Sequence, residues 1–281
     1  MSSGDIQLNV LKHIESLEEG IPQIYGNMAV TGLSDVNAEL FNGIISTQIA
    51  LEVGNMQVEE SGNVPSLRFN AEQPTLIRCG EGVLGGGLQD RIIAESMVIE
   101  GNRSLNVFCI EAGRWSAKTG EWLHTNTPVS MRRAILGGRD QRYVWSEVQR
   151  ILGSWGVHSG TSALGELYVN HGFAFEKLAT RFDWSDDDVG MIVTIDGKVH
   201  GIEIFGDKMG LRRDYASILK ESYAPIALQT ASGKSMSYED VHDAINEFFS
   251  ELHAGTRYAQ VVNHMEIWLM RVQYESFTSN D

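Results

Sequence analysis

Five side chains suited to anion binding or acid–base chemistry fall within one short tract of this chain: Glu81, Gln89, Arg91, Glu111 and Arg114, with Trp115 directly after. Two guanidinium groups can grip a diphosphate or carboxylate through paired N–H donors. An amide fixes orientation, a glutamate serves as base or acceptor, and an indole offers a stacking face. On this reading Glu81 and Glu111 carry the proton chemistry, and Gln89, Arg91, Arg114 and Trp115 bind the ligand. The same residues also read as a structural Arg–Glu bridge closing one end of a sheet. Charges at the ends of short buried strands are stable only when paired with each other or with a ligand. The residues themselves leave the two readings open.

The positioning elements follow from the spacing. Gln89 and Arg91 alternate with Leu88, Asp90 and Ile92, which puts both on one face of a strand. Glu111 and Arg114 end a second apolar run that carries Val107 and Cys109. A hairpin turn at Glu100-Gly101-Asn102 would join strands Ile92–Ile99 and Ser104–Glu111 and set Arg91 roughly opposite Glu111. Before them stands Gly85-Gly86-Gly87, which lacks the Gly-Lys-Ser/Thr ending of a phosphate loop and reads as a turn or an anion cradle.

Around this tract the chain divides into β and helical grammar. Short Ile/Val/Leu-rich runs at Ile44–Val53, Met56–Glu59, Val64–Phe69 and Thr75–Cys79 predict an antiparallel sandwich- or barrel-like sheet. Helical spacing marks Ile6–Leu17, Gln141–Leu152, Ala163–Thr180 and Leu211–Tyr223, the last ending at Pro225. Gly26–Gly43 reads as a loop and Phe182–Asp188 as a solvated acidic connector. Asp196-Gly197 predicts a tight hairpin between Met191–Ile195 and Lys198–Phe205, and Ser237 with Asp240 a capping box opening a helix. A last strand is expected over Met265–Phe277. The fold class is α+β: an antiparallel β-rich N-terminal half with a helical and β-hairpin C-terminal half packed on it. A helix and connector over 1–43 precede a single domain over 44–281, with a potential split near 120–140.

The net charge of −15, with 37 acidic against 22 basic residues and no basic run, disfavours broad nucleic-acid contact. Cys79 and Cys109 read as small core residues, and the eight histidines show no ligand spacing, so neither metal nor cofactor is expected. No signal-like or membrane-spanning run is evident, which points to the cytoplasm.

The motifs around the five residues resemble those of a poorly characterised bacterial family, the ARG- and rhodanese/phosphatase-superfamily-associated protein domain. The likeness rests on Gly80-Glu81, on Gly86-Gly87-Leu88-Gln89-Asp90-Arg91, and on Cys109-Ile110-Glu111-Ala112-Gly113-Arg114-Trp115. Later come Gly197-Lys198-Val199-His200-Gly201-Ile202-Glu203-Ile204-Phe205 and Ser222-Tyr223-Ala224. Leu88 and Asp90 stand where the family commonly has Lys and Asn. The resemblance implies an ADP-ribose- or nucleotide-related role in bacterial conflict systems. Two functions are therefore expected. One is binding, with or without hydrolysis, of a small anionic nucleotide-derived ligand in a Glu/Gln/Arg pocket. The other is a non-catalytic scaffold or assembly subunit of a defence system, partnered by other subunits or by copies of itself, in which the cluster is structural.

Overall fold

The computed structural model describes residues 13–61, 63–114, 121–136, 140–231, 233–253, 258–264 and 267–273. The expected helix start before residue 13, the end of the last strand after Gln273, and Trp115 lie outside these described residues. The chain forms two compact units, one of 1–42, 180–215 and 226–281, the other of 43–179 and 216–225. The architecture is mixed α+β, with a β-rich, largely antiparallel N-terminal half and helices in the C-terminal half.

The first unit opens with strands β1 (Glu18–Glu19), β2 (Gln23–Tyr25) and β3 (Met28–Ser34). Gly26–Gly43, read as a loop, thus holds a strand, whose Met28, Ala29, Val30 and Leu33 are buried. The alternation is hidden because both faces of β3 are covered over most of its length.

The chain then builds the second unit with β4 (Ile45–Ser46), β5 (Met56–Glu60), β6 (Ser66–Ile77) and β7 (Glu81–Leu84). It continues through β8 (Arg91–Ile93), β9 (Met97–Cys109) and β10 (Leu123–Asn126). These seven form one curled, half-barrel sheet in the order β10-β7-β8-β9-β6-β4, with β5 also on β6. The expected strand Ile44–Val53 is mostly helix, Thr47–Glu52, because the Ser46 side chain caps it by accepting from the Ile49 N–H. The expected turn at Gly101-Asn102 is absent. Gly101 and Asn102 lie inside β9, opposite Ala71 and Asn70 of β6. The two expected strands Val64–Phe69 and Thr75–Cys79 are one strand whose register shifts between Ala71 and Thr75. That irregularity accommodates Pro74, which has no ladder N–H to give. Leu67, Phe69, Ile77, Val83, Ile93 and Leu105 fill the core of this unit. Helices Gln141–Ser154 and Gly165–Ala179 follow as expected.

The first unit resumes with the hairpin β11 (Asp188–Ile195) and β12 (Lys198–Ile204), then β13 (Tyr258–His264) and β14 (Ile267–Gln273). Asp196 and Gly197 turn the first hairpin with φ of 50° and 71°, the left-handed pair its sequence predicts. The sheet order is β1-β3-β11-β12-β14-β13, with β2 on β3. On it packs helix Tyr238–His253 through Val241, Ala244, Ile245 and Phe248. Its N-terminus is a reciprocal capping box: the Asp240 N–H donates to the Ser237 hydroxyl, and the Ser237 N–H donates to the Asp240 carboxylate. Among the described residues no helix is long and apolar enough to cross a membrane.

Candidate functional site

The structure separates the five chemistry-bearing residues into two groups within the second unit. Gln89, Arg91, Glu111 and Arg114 belong to one buried network. Arg91 is paired with Cys109, so Glu111 lies two residues beyond it, close to the expected opposition although a different turn achieves it. The connection is 94–96, not 100–102. Arg114 donates to Glu111 Oε2 at 2.8 Å, to the Gly86 carbonyl at 2.8 Å and to Asp90 Oδ1 at 3.2 Å. Glu111 also accepts from the Asp90 N–H and from the Thr161 hydroxyl. Arg91, fully buried, donates to Gln89 Oε1 at 3.3 Å and stands 3.6 Å from Glu60 Oε2. Both guanidinium groups thus have protein acceptors within reach, while the buried Nε of Arg91 has no hydrogen-bond partner among the described residues.

Glu81 sits in the second group. It is completely buried, and both of its oxygens are held: Oε1 accepts from Arg78 Nε at 2.6 Å, and Oε2 from the Thr47 hydroxyl at 2.7 Å and the Arg78 N–H at 3.0 Å. Burial alone would push its pKa up, but Arg78, His124 and the backbone N–H outweigh burial and hold it at about 2, down from 4.5. It is a fixed anion. Its cross-strand geometry brings in β10, where Asn126 opposes Glu81 and His124 opposes Val83. His124 Nε2 lies 3.4 Å from Glu81 Oε1, and its side chain is only 4% exposed.

A third group was not foreseen. Helix Lys208–Ile218 continues into a π-turn, Leu219–Tyr223, in which the Ala224 N–H reaches back to the Leu219 carbonyl. Pro225 does not end the segment as expected; it falls in the first turn of helix Ala224–Thr230, where its missing N–H is not needed. The π-turn carries Glu221, whose Oε2 accepts from the Asn126 N–H at 2.6 Å and the Thr125 hydroxyl at 3.2 Å. Burial raises the Glu221 pKa, against the lowering effects of those bonds and of His124 and Lys220. Tyr168, half-buried alongside, lies 2.8 Å from the Asn126 carbonyl and 3.2 Å from that of Glu221. Such turns recur at functional sites because the extra residue re-aims side chains.

His124 and Glu221 line one cleft of about 750 Å³. Helix Thr47–Glu52 contributes Gln48 and Glu52, strand β5 Met56 and Val58, and the stretch before β10 Glu121 and Trp122. Among the described residues lining it there is no lysine or arginine. Glu81 is not among the described residues that line this cleft, whereas His124 is. The signal that was available in the sequence for these residues is the Ser222-Tyr223-Ala224 motif beside Glu221; His124 and Gln48 have none. Among the described residues no cluster of His, Cys, Asp or Glu is arranged to hold a metal ion. Both cysteines are buried and neither is in a disulfide, and burial pushes the Cys79 thiol up to about 12.

The fold and this cleft define an α+β protein whose β-rich unit presents an acidic, histidine-bearing cavity. A family model for the ARG and rhodanese-phosphatase-superfamily-associated protein domain matches residues 16–279, and the chain belongs to that family. No curated protein and no solved structure matches it.

Proposed function

We propose that this is a cytoplasmic protein that binds a small ligand in the cleft of its second unit and transfers protons to and from it, hydrolysis being the reaction class that uses both groups. The reading rests on one observation: the buried Glu81 and the half-buried Glu221, both influenced by His124, have pKa values moved in opposite directions, Glu81 down to about 2 and Glu221 up. Environments that push two such groups apart separate an anion from an acid. Glu221, whose proton is held more tightly by burial, donates it to a leaving group. His124, 3.4 Å from Glu81 Oε1, takes a proton from water as the water oxygen bonds to the ligand. The sum is one water added across one bond, with the proton on His124 afterwards released to solvent and the Glu221 carboxylate reprotonated from solvent.

Of the nucleotide-derived ligand implied by family membership, the uncharged part suits this cleft: hydroxyls of a ribose offer donors to Gln48, Glu52 and Glu221. Phosphates fit poorly among those carboxylates. The test is incubation of the purified chain with ADP-ribose, adenosine and ribose, with binding read by calorimetry and turnover by chromatography. Saturable binding by at least one of them, and turnover falling at least about 100-fold in Glu221→Gln, are expected. Absence of binding by all three, or turnover unchanged in the variant, overturns the reading.

A second reading is favoured by the internal pairing of Arg91, Arg114 and Glu111. In it these residues serve only as a frame, and the chain is a non-catalytic assembly subunit of a bacterial defence system. Binding without turnover of any of the three compounds, together with co-purification in a defined multi-subunit complex, supports it.

A further inference from the structure

Trp122 is half-buried and packs against the core of the second unit while lining the cleft. Its six-membered ring lies on Gly86: a Cβ built there would stand 1.9 Å from Cη2 and 2.3 Å from Cζ3 of the indole. Only glycine leaves room for the ring in this position. The middle residue of the triple glycine is thus a bed for an aromatic side chain, and Arg114 fixes the bed by donating to the Gly86 carbonyl at 2.8 Å. An indole seated this way presents a rigid surface to whatever fills the cleft. Around the same cavity stand Glu52, Glu121 and Glu221, and His124, buried and with Nε2 lacking a well-formed hydrogen bond among the described residues.

From these contacts we infer that the cleft takes a ligand bearing a planar, positively charged heteroaromatic ring, stacked on Trp122 with its charge toward the glutamates. The electron-rich face of an indole attracts a cation. Carboxylates without described lysines or arginines favour the same sign and disfavour an anion. The inference deepens the ligand-binding reading above and rests on it, with Gly86 and Arg114 as positioning residues for Trp122.

Three compounds with one ring and three charges test it: 1-methylnicotinamide, nicotinamide and nicotinate, titrated into the full chain by calorimetry. Affinity is expected to fall in that order, with the cation about tenfold tighter than the neutral ring. Trp122→Leu should weaken the cation about tenfold or more, and Trp122→Phe should restore part of the loss. Gly86→Ala should weaken the cation while circular dichroism shows the fold retained; if Gly86→Ala fails to fold, the two Trp122 variants decide alone. No binding of 1-methylnicotinamide, equal affinity for all three compounds, or cation affinity unmoved by Trp122→Leu overturns the inference. Failure of the underlying reading is separate: it is seen as ADP-ribose, adenosine and ribose all failing to bind, or as turnover unmoved by Glu221→Gln.

Discussion

Glu81 Oε1 and His124 Nε2 stand 3.4 Å apart on neighbouring antiparallel strands, the first fully buried and the second reaching the cleft. The carboxylate is saturated with donors from Arg78 and Thr47, so its charge is set before any ligand arrives. Among the described residues His124, and not Glu81, lines the cleft.

That pairing has a signature in stability. The folded pKa of Glu81, about 2, lies below its ordinary 4.5. The stabilisation is thus present above pH 4.5 and is lost as pH falls toward 2. The depression corresponds to about 3 kcal/mol, and removing one partner of a buried ion pair costs a similar amount, ~3–5 kcal/mol. Glu81→Gln should lower the urea midpoint at pH 7 accordingly, and the gap to wild type should narrow below pH 4.5. A gap independent of pH would show that the carboxylate charge is not what stabilises.

Glu221 should behave in the opposite sense. Its pKa is raised, so the folded chain holds its proton more tightly than the unfolded one. The associated stability is fully present below the ordinary pKa and is lost as pH rises through the folded value. Glu221→Gln should therefore be neutral or stabilising at pH 8, since the amide oxygen still accepts from Asn126 and Thr125, and the difference should vanish below pH 4. Chemical denaturation across that range measures it. A marked loss of stability at pH 8 would mean that the ionised carboxylate is structurally required.

The Arg114 network makes a different prediction. Glu111→Ala leaves the Asp90 N–H and the Thr161 hydroxyl without this acceptor and Arg114 with only the Gly86 carbonyl and Asp90, and should destabilise by ~3–5 kcal/mol in urea unfolding. Arg91→Ala should do likewise, by leaving Gln89 and Glu60 without their cation. If Glu111→Ala is as stable as wild type yet loses affinity for ADP-ribose, these side chains contact ligand instead of framing the turn.

What the sequence disclosed depended on how local the cause was. The Asp196-Gly197 hairpin and the Ser237/Asp240 box are specified by residues that touch each other, and both form as expected. Gly101-Asn102 has the same turn chemistry, but β6 supplies a full antiparallel partner and holds the pair inside a strand. Ile45 to Glu52 is apolar enough for a strand, and one cap at Ser46 turns it helical. The site was half legible. Glu81 was singled out with Arg91, Arg114 and Glu111 because they share a tract, whereas strand pairing assigns it to His124 and Glu221. His124 has no local signature and Glu221 only the neighbouring Ser222-Tyr223-Ala224 motif, since β10 and a π-turn bring them to one cleft.

Gly80 provides the sharpest check on how this site is assembled. Its φ is +84°, a conformation that L side chains rarely adopt, and an added Cβ would stand 2.1 Å from Cγ of Arg132. The residue is also bonded on both sides: its N–H donates to the Ile93 carbonyl at 2.8 Å, and its carbonyl accepts from the Thr127 hydroxyl at 2.6 Å. The chain is thus pinned immediately before Glu81, and Arg132 packs where a side chain would go. Gly80→Ala combines backbone strain with overpacking, terms of about 1 kcal/mol and ~1–3 kcal/mol. It should lower the urea midpoint by their sum and shift the His124 ring signals in NMR, because Glu81 moves with the turn. Arg132→Ala in the same chain should recover part of the overpacking loss. Were Gly80→Ala fully stable with unmoved His124 signals, the turn would not be what positions the Glu81–His124 pair.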